Sequence, residues 1–111
     1  MEWYLLKSVY GDITDDVSFE GMVLLTKEEL EDGRKWCETN PDYKMSVGMG
    51  NTLEIEVTAA DVLSEIQTAV KISNEEYRVI ERYLGEVFGD TTRFMLLKNE
   101  CFRKENKNEG I

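Results

Sequence analysis

Residues 19–39 read FEGMVLLTKEELEDGRKWCET, and this stretch decides the fold. Its first part, Phe19 to Leu25, predicts a strand, and the apolar run 22–25 is typical of a strand buried on both faces. Thr26 and Glu29 have the spacing of a capping box, in which each side chain bonds the other residue's free backbone amide. The helix that they begin should end near Thr39, because Asn40-Pro41 cannot continue it. A strand that runs directly into a helix indicates a domain containing both.

The segments on either side add further strands. Residues 2–9 predict a first strand, and residues 10–18 predict a polar, acidic loop. Residues 43–49 and 52–57 predict a hairpin around Gly50-Asn51. Residues 58–72 fit a short helix to Ile66 followed by a strand over 67–72. The alternative is a longer strand with one face composed of Val62, Ile66, Val70 and Ile72.

The last third contains a second well-marked helix, which Ser73 and Glu76 begin with another capping box. We expect one apolar stripe along it, composed of Tyr77, Ile80, Leu84, Val87 and Phe88. On its other side we expect ion pairs at spacings of three and four among Glu75, Arg78, Arg82 and Glu86. Gly85 or Gly89 should end the helix, and residues 91–97 predict the last strand.

This order of elements predicts an α+β fold. We expect a mostly antiparallel sheet of about five to six strands, with two main helices packed on one face. A chain of 111 residues with 41% hydrophobic content suits a single domain, which we place at residues 1–98. Residues 99–111 are dominated by Lys, Glu and Asn and predict a flexible polar tail.

The charge is strongly negative, with a formal net charge of −10 at pH 7. The acid excess lies mainly in residues 1–72, whereas residues 73–111 are nearly balanced. Such a surface repels phosphate backbones and attracts basic partners, so we expect no direct nucleic-acid binding. The few cations near the C-terminus are diluted by Glu100 and Glu105 and do not predict a nucleic-acid arm.

The chain has no histidine and only two cysteines, Cys37 and Cys101. Catalytic systems that use histidine and zinc sites of the Cys/His type are therefore excluded. Phosphate-binding and dinucleotide motifs are absent, and no motif is specific enough to indicate a family. Asp12, Asp15, Asp16 and Glu20 are hard oxygen ligands, but their spacing does not match a calcium loop, so we expect a solvated acidic turn. No cofactor, metal or catalytic site is predicted.

The remaining signal favours protein binding. The candidate partner-binding residues are the acids predicted to face outward and one large aromatic: Asp12, Asp15, Asp16, Glu28, Glu31, Asp32, Trp36, Glu54 and Glu56. In the predicted second arm of the hairpin, Glu54 and Glu56 alternate with apolar residues, which indicates an acidic outer face. Trp36 lies in an acidic helix, where a large aromatic surrounded by charge is typical of an interface hot spot, although a core or half-buried role is the commoner one.

We therefore expect a small, cytoplasmic, non-enzymatic module that docks on a basic partner protein. One version is an inhibitor that covers the nucleic-acid-binding surface of an enzyme, by class-level analogy with acidic phage and mobile-element inhibitors. One alternative is a ligand-binding domain whose apolar pocket is lined by Tyr77, Tyr83, Met45 and Met49. Another is an enzyme that uses carboxylates and a divalent ion, for which Glu65, beside Ile66, is the carboxylate nearest to an apolar setting. Apolar runs are too short for a membrane span, and the chain should be a monomer or a weak homodimer.

Overall fold

A computed structural model describes residues 1–11, 17–49 and 53–102. The strands are β1 (Trp3–Gly11), β2 (Ser18–Thr26), β3 (Lys44–Met49), β4 (Leu53–Thr58), β5 (Val70–Ile72) and β6 (Val87–Gly89). The helices are α1 (Lys27–Thr39), α2 (Ala59–Gln67), α3 (Asn74–Leu84) and α4 (Arg93–Leu97), and a π-helical turn follows over Lys98–Phe102. The fold is therefore α+β, as predicted.

The main sheet has four antiparallel strands in the order β5-β1-β2-β6. β1 and β2 pair along their whole length, from Trp3 opposite Thr26 to Gly11 opposite Ser18. β5 pairs with part of the outer edge of β1, and β6 pairs with part of the outer edge of β2. The β3–β4 hairpin forms a separate two-stranded sheet. The prediction of one sheet with five to six strands was wrong, because β5 and β6 pair with the two outer strand edges that the hairpin would have needed.

Local capping signals were confirmed where the helices begin. Thr26 and Glu29 form a reciprocal capping box, and so do Ser73 and Glu76. Thr58 caps α2 by accepting the Asp61 N–H at 3.0 Å. Residues 58–72 thus form a helix and then a strand, as favoured from the sequence, with the strand shortened to β5. The expected loop over 10–18 is also shorter, since Tyr10 and Gly11 belong to β1 and Ser18 to β2, while residues 12–16 lie outside the described structure.

The core lies on one face of the main sheet. β1 contributes the alternate residues Leu6, Ser8 and Tyr10 to this face, and all three are buried. α1, α2, α4 and the inner face of the β3–β4 hairpin cover it. They bring in the buried residues Leu30 and Cys37, Ile55 and Val57, Val62 and Ile66, and Phe94 and Leu97. The expectation of two main helices on one face was therefore wrong, since three helices and a small sheet form this layer.

α3 lies on the opposite face of the main sheet. In an antiparallel pair, residues directly opposite each other share a face, so Trp3, Leu5, Leu24 and Ile72 all lie on the side away from the core. Trp3 stacks on Tyr77 of α3, with ring centroids 3.8 Å apart. No residue of α3 is itself buried. This helix consequently covers the second face of the sheet through a few contacts only.

Two predictions for the last third were wrong. α3 ends at Leu84 because Gly85 adopts a φ of +82°, and the expected apolar stripe is cut there, so that Val87 and Phe88 lie in β6. Residues 93–97, expected in the last strand, form α4. Thr92 accepts the Met95 N–H at 3.1 Å and begins this helix, and its one turn places Phe94 and Leu97 together in the core.

Candidate functional site

The outer face of α1 carries several of the predicted binding residues. Leu30, Gly33 and Cys37 face the core, which leaves Glu28, Glu31 and Asp32 on the opposite side of the helix. Glu28 and Asp32 are exposed, and neither forms an ion pair with a lysine or arginine in the described part of the chain. Glu31 is half-buried and is paired with Arg34. Lys35 is also exposed on this face and Arg34 pairs with Glu31 at its edge, so the surface of α1 is acidic but contains cations.

Trp36 borders this acidic face without standing free of the core. Its ring packs edge-on against Tyr43, with centroids 5.1 Å apart, and it contacts the core cluster. Its side chain is half-buried. Trp36 lies one helical turn after Asp32, so its accessible part adjoins that carboxylate. The sequence left a core role and a hot-spot role open, and this position combines packing with partial exposure.

The β3–β4 hairpin presents a second acidic row. Ile55 and Val57 are fully buried, and Glu54 and Glu56 alternate with them and are exposed. The residues opposite these glutamates on β3 are Gly48 and Ser46, neither of which is charged. The alternation predicted for this strand was confirmed. Asp12, Asp15 and Asp16, the other predicted binding residues, lie outside the described residues.

The residues proposed for an apolar pocket do not come together. Tyr77 stacks on Trp3 on one face of the main sheet, whereas Met45 packs into the core on the other face. Tyr83 is 73% exposed, and the side chain of Met49 lies outside the described structure. A shallow cavity of about 130 Å³ lies elsewhere, between α1, α2 and β1, and it is smaller than the usual 300–1,000 Å³ of a ligand site.

A polar cluster lies within the core, where β1, α2 and α4 meet. Glu65 of α2 is 5% exposed, and its Oε1 accepts the Ser8 hydroxyl and, at 2.5 Å, the Arg93 Nε–H. The Arg93 backbone N–H donates to Ser8 Oγ at 3.3 Å. Arg93 Nη1 also lies 3.5 Å from Asp61 Oδ2. Three segments that are far apart in the sequence are thereby joined through one carboxylate.

The electrostatics of this cluster are those of a buried acid. Burial raises the pKa of Glu65 above its usual range, although Ser8 and Arg93 both act to lower it. The second carboxylate oxygen, Oε2, is buried without a hydrogen-bond partner among the described residues. Burial, assisted by Asp90 and Glu65, also raises the pKa of Tyr10 to about 12. No group of His, Cys, Asp and Glu suited to hold a metal is present among the described residues.

The sequence singled out Glu65 only as the carboxylate nearest to an apolar setting, and it did not indicate Ser8 or Arg93. A signal for the buried position of Glu65 existed in its spacing of three residues from Val62, which places the two side chains on neighbouring parts of one helix face. Ser8 carried a similar signal, because it alternates with Leu6 and Tyr10 along β1. Arg93 carried none, since residues 91–97 were expected in a strand. The cluster ties elements of the core together, and none of its residues lines the cavity between α1, α2 and β1.

The two cysteines are free thiols on the core side of the molecule. Cys37 is fully buried, and burial raises its pKa to about 11. Cys101 is half-buried in the π-helical turn and packs against the same core cluster. A higher pKa leaves less thiolate at neutral pH, which makes Cys37 a poor nucleophile.

Comparison of the chain with protein-family models, with curated proteins and with solved structures finds no match. Among the described residues, no helix has both the length and the apolar character needed to cross a membrane.

Proposed function

We propose that this chain is a non-enzymatic protein-binding module whose acidic surface docks on a basic surface of a partner protein. One observation carries the proposal. Glu28, Asp32 and Glu56 are exposed, and no ion pair with a described lysine or arginine neutralises them. Carboxylates held in this way remain available to cations of another molecule.

Several other acids of the chain are engaged internally and are poor candidates for this role. Glu2 bonds Lys71 at 2.8 Å and lies 3.4 Å from Lys27. Glu29 bonds Lys98 at 2.7 Å and also caps α1. The lysines in these contacts support the fold locally. Glu28 and Asp32 of α1 and Glu56 of β4 are not engaged in this way, and they belong to the two acidic rows described above.

The electrostatics of such an encounter favour rate and selectivity. A net charge of −10 on a small domain accelerates approach to a basic partner and disfavours acidic competitors, including nucleic acids. Exposed charges act through solvent that contains salt, so the complex should weaken as ionic strength rises. The part of Trp36 that reaches the surface next to Asp32 can add apolar contact area to this interface.

The experiment begins with the full chain, tagged and used as bait in lysate of its native host. Bound proteins are eluted at low and at high salt and identified by mass spectrometry. A purified candidate is then titrated with the wild type and with Glu28→Lys/Asp32→Lys by calorimetry. We expect the candidate to be rich in Lys and Arg, and the double variant to bind it at least about tenfold more weakly.

A matched control is Glu20→Lys/Glu81→Lys. Each double variant changes the net charge from −10 to −6, but Glu20 and Glu81 are exposed on β2 and α3, away from α1. A specific acidic surface requires a larger loss for the α1 variant than for the control. Equal losses of affinity for the two double variants would show that overall charge, and not a specific surface, causes the effect. An affinity that is independent of salt would contradict the proposal.

The finer proposal is that the partner is a nucleic-acid-binding enzyme whose groove the chain covers. In that case duplex DNA and the chain compete for one surface of the enzyme. Added DNA should therefore lower the apparent affinity of the chain for the enzyme, and the effect should grow with the fraction of enzyme that DNA occupies. A ternary complex of enzyme, DNA and chain would exclude this version and leave the broader proposal standing.

A further inference from the structure

α3 presents an outward face that nothing in the described structure covers. Glu75, Glu76, Val79, Arg82 and Tyr83 are all exposed, with Val79 at 56% and Tyr83 at 73%. The spacing i, i+1, i+4, i+7, i+8 places these five residues on one side of a helix. Tyr77, which holds α3 against the sheet, points the other way. The face therefore consists of an apolar centre flanked by charges of both signs.

The ion pairs expected within α3 do not use up these charges. No salt bridge among Glu75, Arg78, Arg82 and Glu86 occurs in the described part of the chain, and Arg82 instead lies over the Tyr83 ring at 5.5 Å. Glu75 and Arg82 are also seven residues apart, or about 10.5 Å along the helix. They are too distant to pair with each other within one chain, so a contact between them requires two molecules.

We propose that this face is the contact surface between two copies of the chain, with their α3 helices antiparallel and a two-fold axis at Val79. Val79 is the central residue of α3, which spans Asn74–Leu84. Two-fold symmetry places Val79 of one copy against Val79 of the other. The inference does not involve the acids of α1 and goes beyond the proposed binding function.

The charges of the face match under this symmetry. Glu75 lies four residues before the axis and Arg82 three after it, so in the antiparallel pair they differ by only about 1.5 Å along the helix direction. The two-fold axis also keeps them on the same flank. The dimer therefore gains two equivalent ion pairs between Glu75 of one copy and Arg82 of the other.

The opposite flank is complementary too. Glu76 and Tyr83 lie on that side, Glu76 three residues before the axis and Tyr83 four after it. The Tyr83 hydroxyl of one copy can therefore donate to the Glu76 carboxylate of the other. Within its own chain Glu76 accepts the Ser73 N–H through Oε1 at 2.9 Å, and its second oxygen serves the contact. A single pair of helices buries less area than a standard interface, so the dimer should be weak.

The first test measures the mass of the full chain by sedimentation velocity across micromolar to millimolar concentrations. We expect the wild type to move from monomer to dimer. Val79→Glu should remain monomeric, because two carboxylates would meet at the axis. The matched control is Val70→Glu, since Val70 is 59% exposed on β5, outside α3, and this variant should dimerise like the wild type.

The second test exchanges the charges. Glu75→Arg alone should raise the dimer dissociation constant at least about tenfold, because it places like charges together twice. Glu75→Arg/Arg82→Glu should restore it to within about threefold of the wild type. Circular dichroism checks that each variant keeps its helices. A wild type that stays monomeric, equal behaviour of the Val79 and Val70 variants, or an exchange that restores nothing would each overturn the proposal.

Discussion

Replacement of Arg93 by methionine tests whether the buried polar cluster stabilises the fold. The variant keeps an unbranched stem but removes the guanidinium that bonds Glu65 Oε1 at 2.5 Å. Glu65 would retain the Ser8 hydroxyl and the Phe94 backbone amide as donors. Removal of one partner of a buried ion pair costs about 3–5 kcal/mol. Because Arg93 is 19% exposed and two donors remain, we expect the free energy of unfolding to fall by about 3 kcal/mol at neutral pH.

The pH dependence of this loss has a definite sign. The pKa of Glu65 is raised by burial, so the folded protein holds a proton there at pH values where the unfolded chain has released it. Glu65 therefore lowers the free energy of unfolding as pH rises from its unfolded pKa, about 4.3, through its folded pKa. Without Arg93 the folded pKa rises further. The destabilisation by Arg93→Met should thus be largest at pH values above the folded pKa of Glu65 and shrink as pH falls toward about 4.3.

Urea denaturation followed by far-ultraviolet circular dichroism measures both effects. Arg78→Met is the matched control, because Arg78 is exposed on α3 and forms no ion pair among the described residues, and it should change stability by no more than about 0.5 kcal/mol. Glu65→Gln/Arg93→Met, which buries no charge, should recover more than half of the loss. Equal stability of the Arg93 and Arg78 variants at neutral pH, or a loss of stability that does not shrink in acid, would refute this account of the cluster.

Three further predictions are measured by the same denaturation experiment. Phe94→Ala should cost about 4 kcal/mol, since Phe94 is fully buried, and a loss below about 1 kcal/mol would show that α4 does not pack as described. Gly21→Ala should cost about 2 kcal/mol or more, because the added Cβ would lie 1.9 Å from the Asp90 carbonyl oxygen. Its control is Gly48→Ala, which should cost nothing because no atom lies within 4 Å of the added Cβ. Equal effects of the two variants would argue against the close approach of Gly21 to Asp90. Thr26→Ala should cost about 1 kcal/mol through loss of the α1 cap, and an unchanged midpoint would contradict the capping box.

The elements with local signals were predictable from the sequence. Thr26 and Ser73 each bond backbone groups within three residues, so the start of α1 and of α3 needs no information from the rest of the chain. The alternation of Glu54 and Glu56 with buried residues likewise gave the acidic face of β4. How the hairpin sits in the fold was not predictable, because that depends on β5 and β6 occupying strand edges of the main sheet.

The failures have a common physical cause. Four successive apolar residues, 94–97, suit a buried strand as well as one turn of a buried helix, and periodicity cannot separate the two over so short a run. The contact between Arg93 and Glu65, 28 residues earlier, forms only in the folded chain, and so does that between Ser8 and Glu65 across 57 residues. No local pattern encodes such pairings. The buried cluster therefore had to be found in the structure.

The two tryptophans divide the optical signal of the molecule between its two layers. Trp3 stacks on Tyr77 and senses the α3 side of the main sheet, whereas Trp36 meets Tyr43 on the core side. Each indole is thus a built-in fluorescent reporter for one layer. A chain in which one tryptophan is replaced by phenylalanine would reveal whether α3 detaches from the sheet before the core melts, without any added dye.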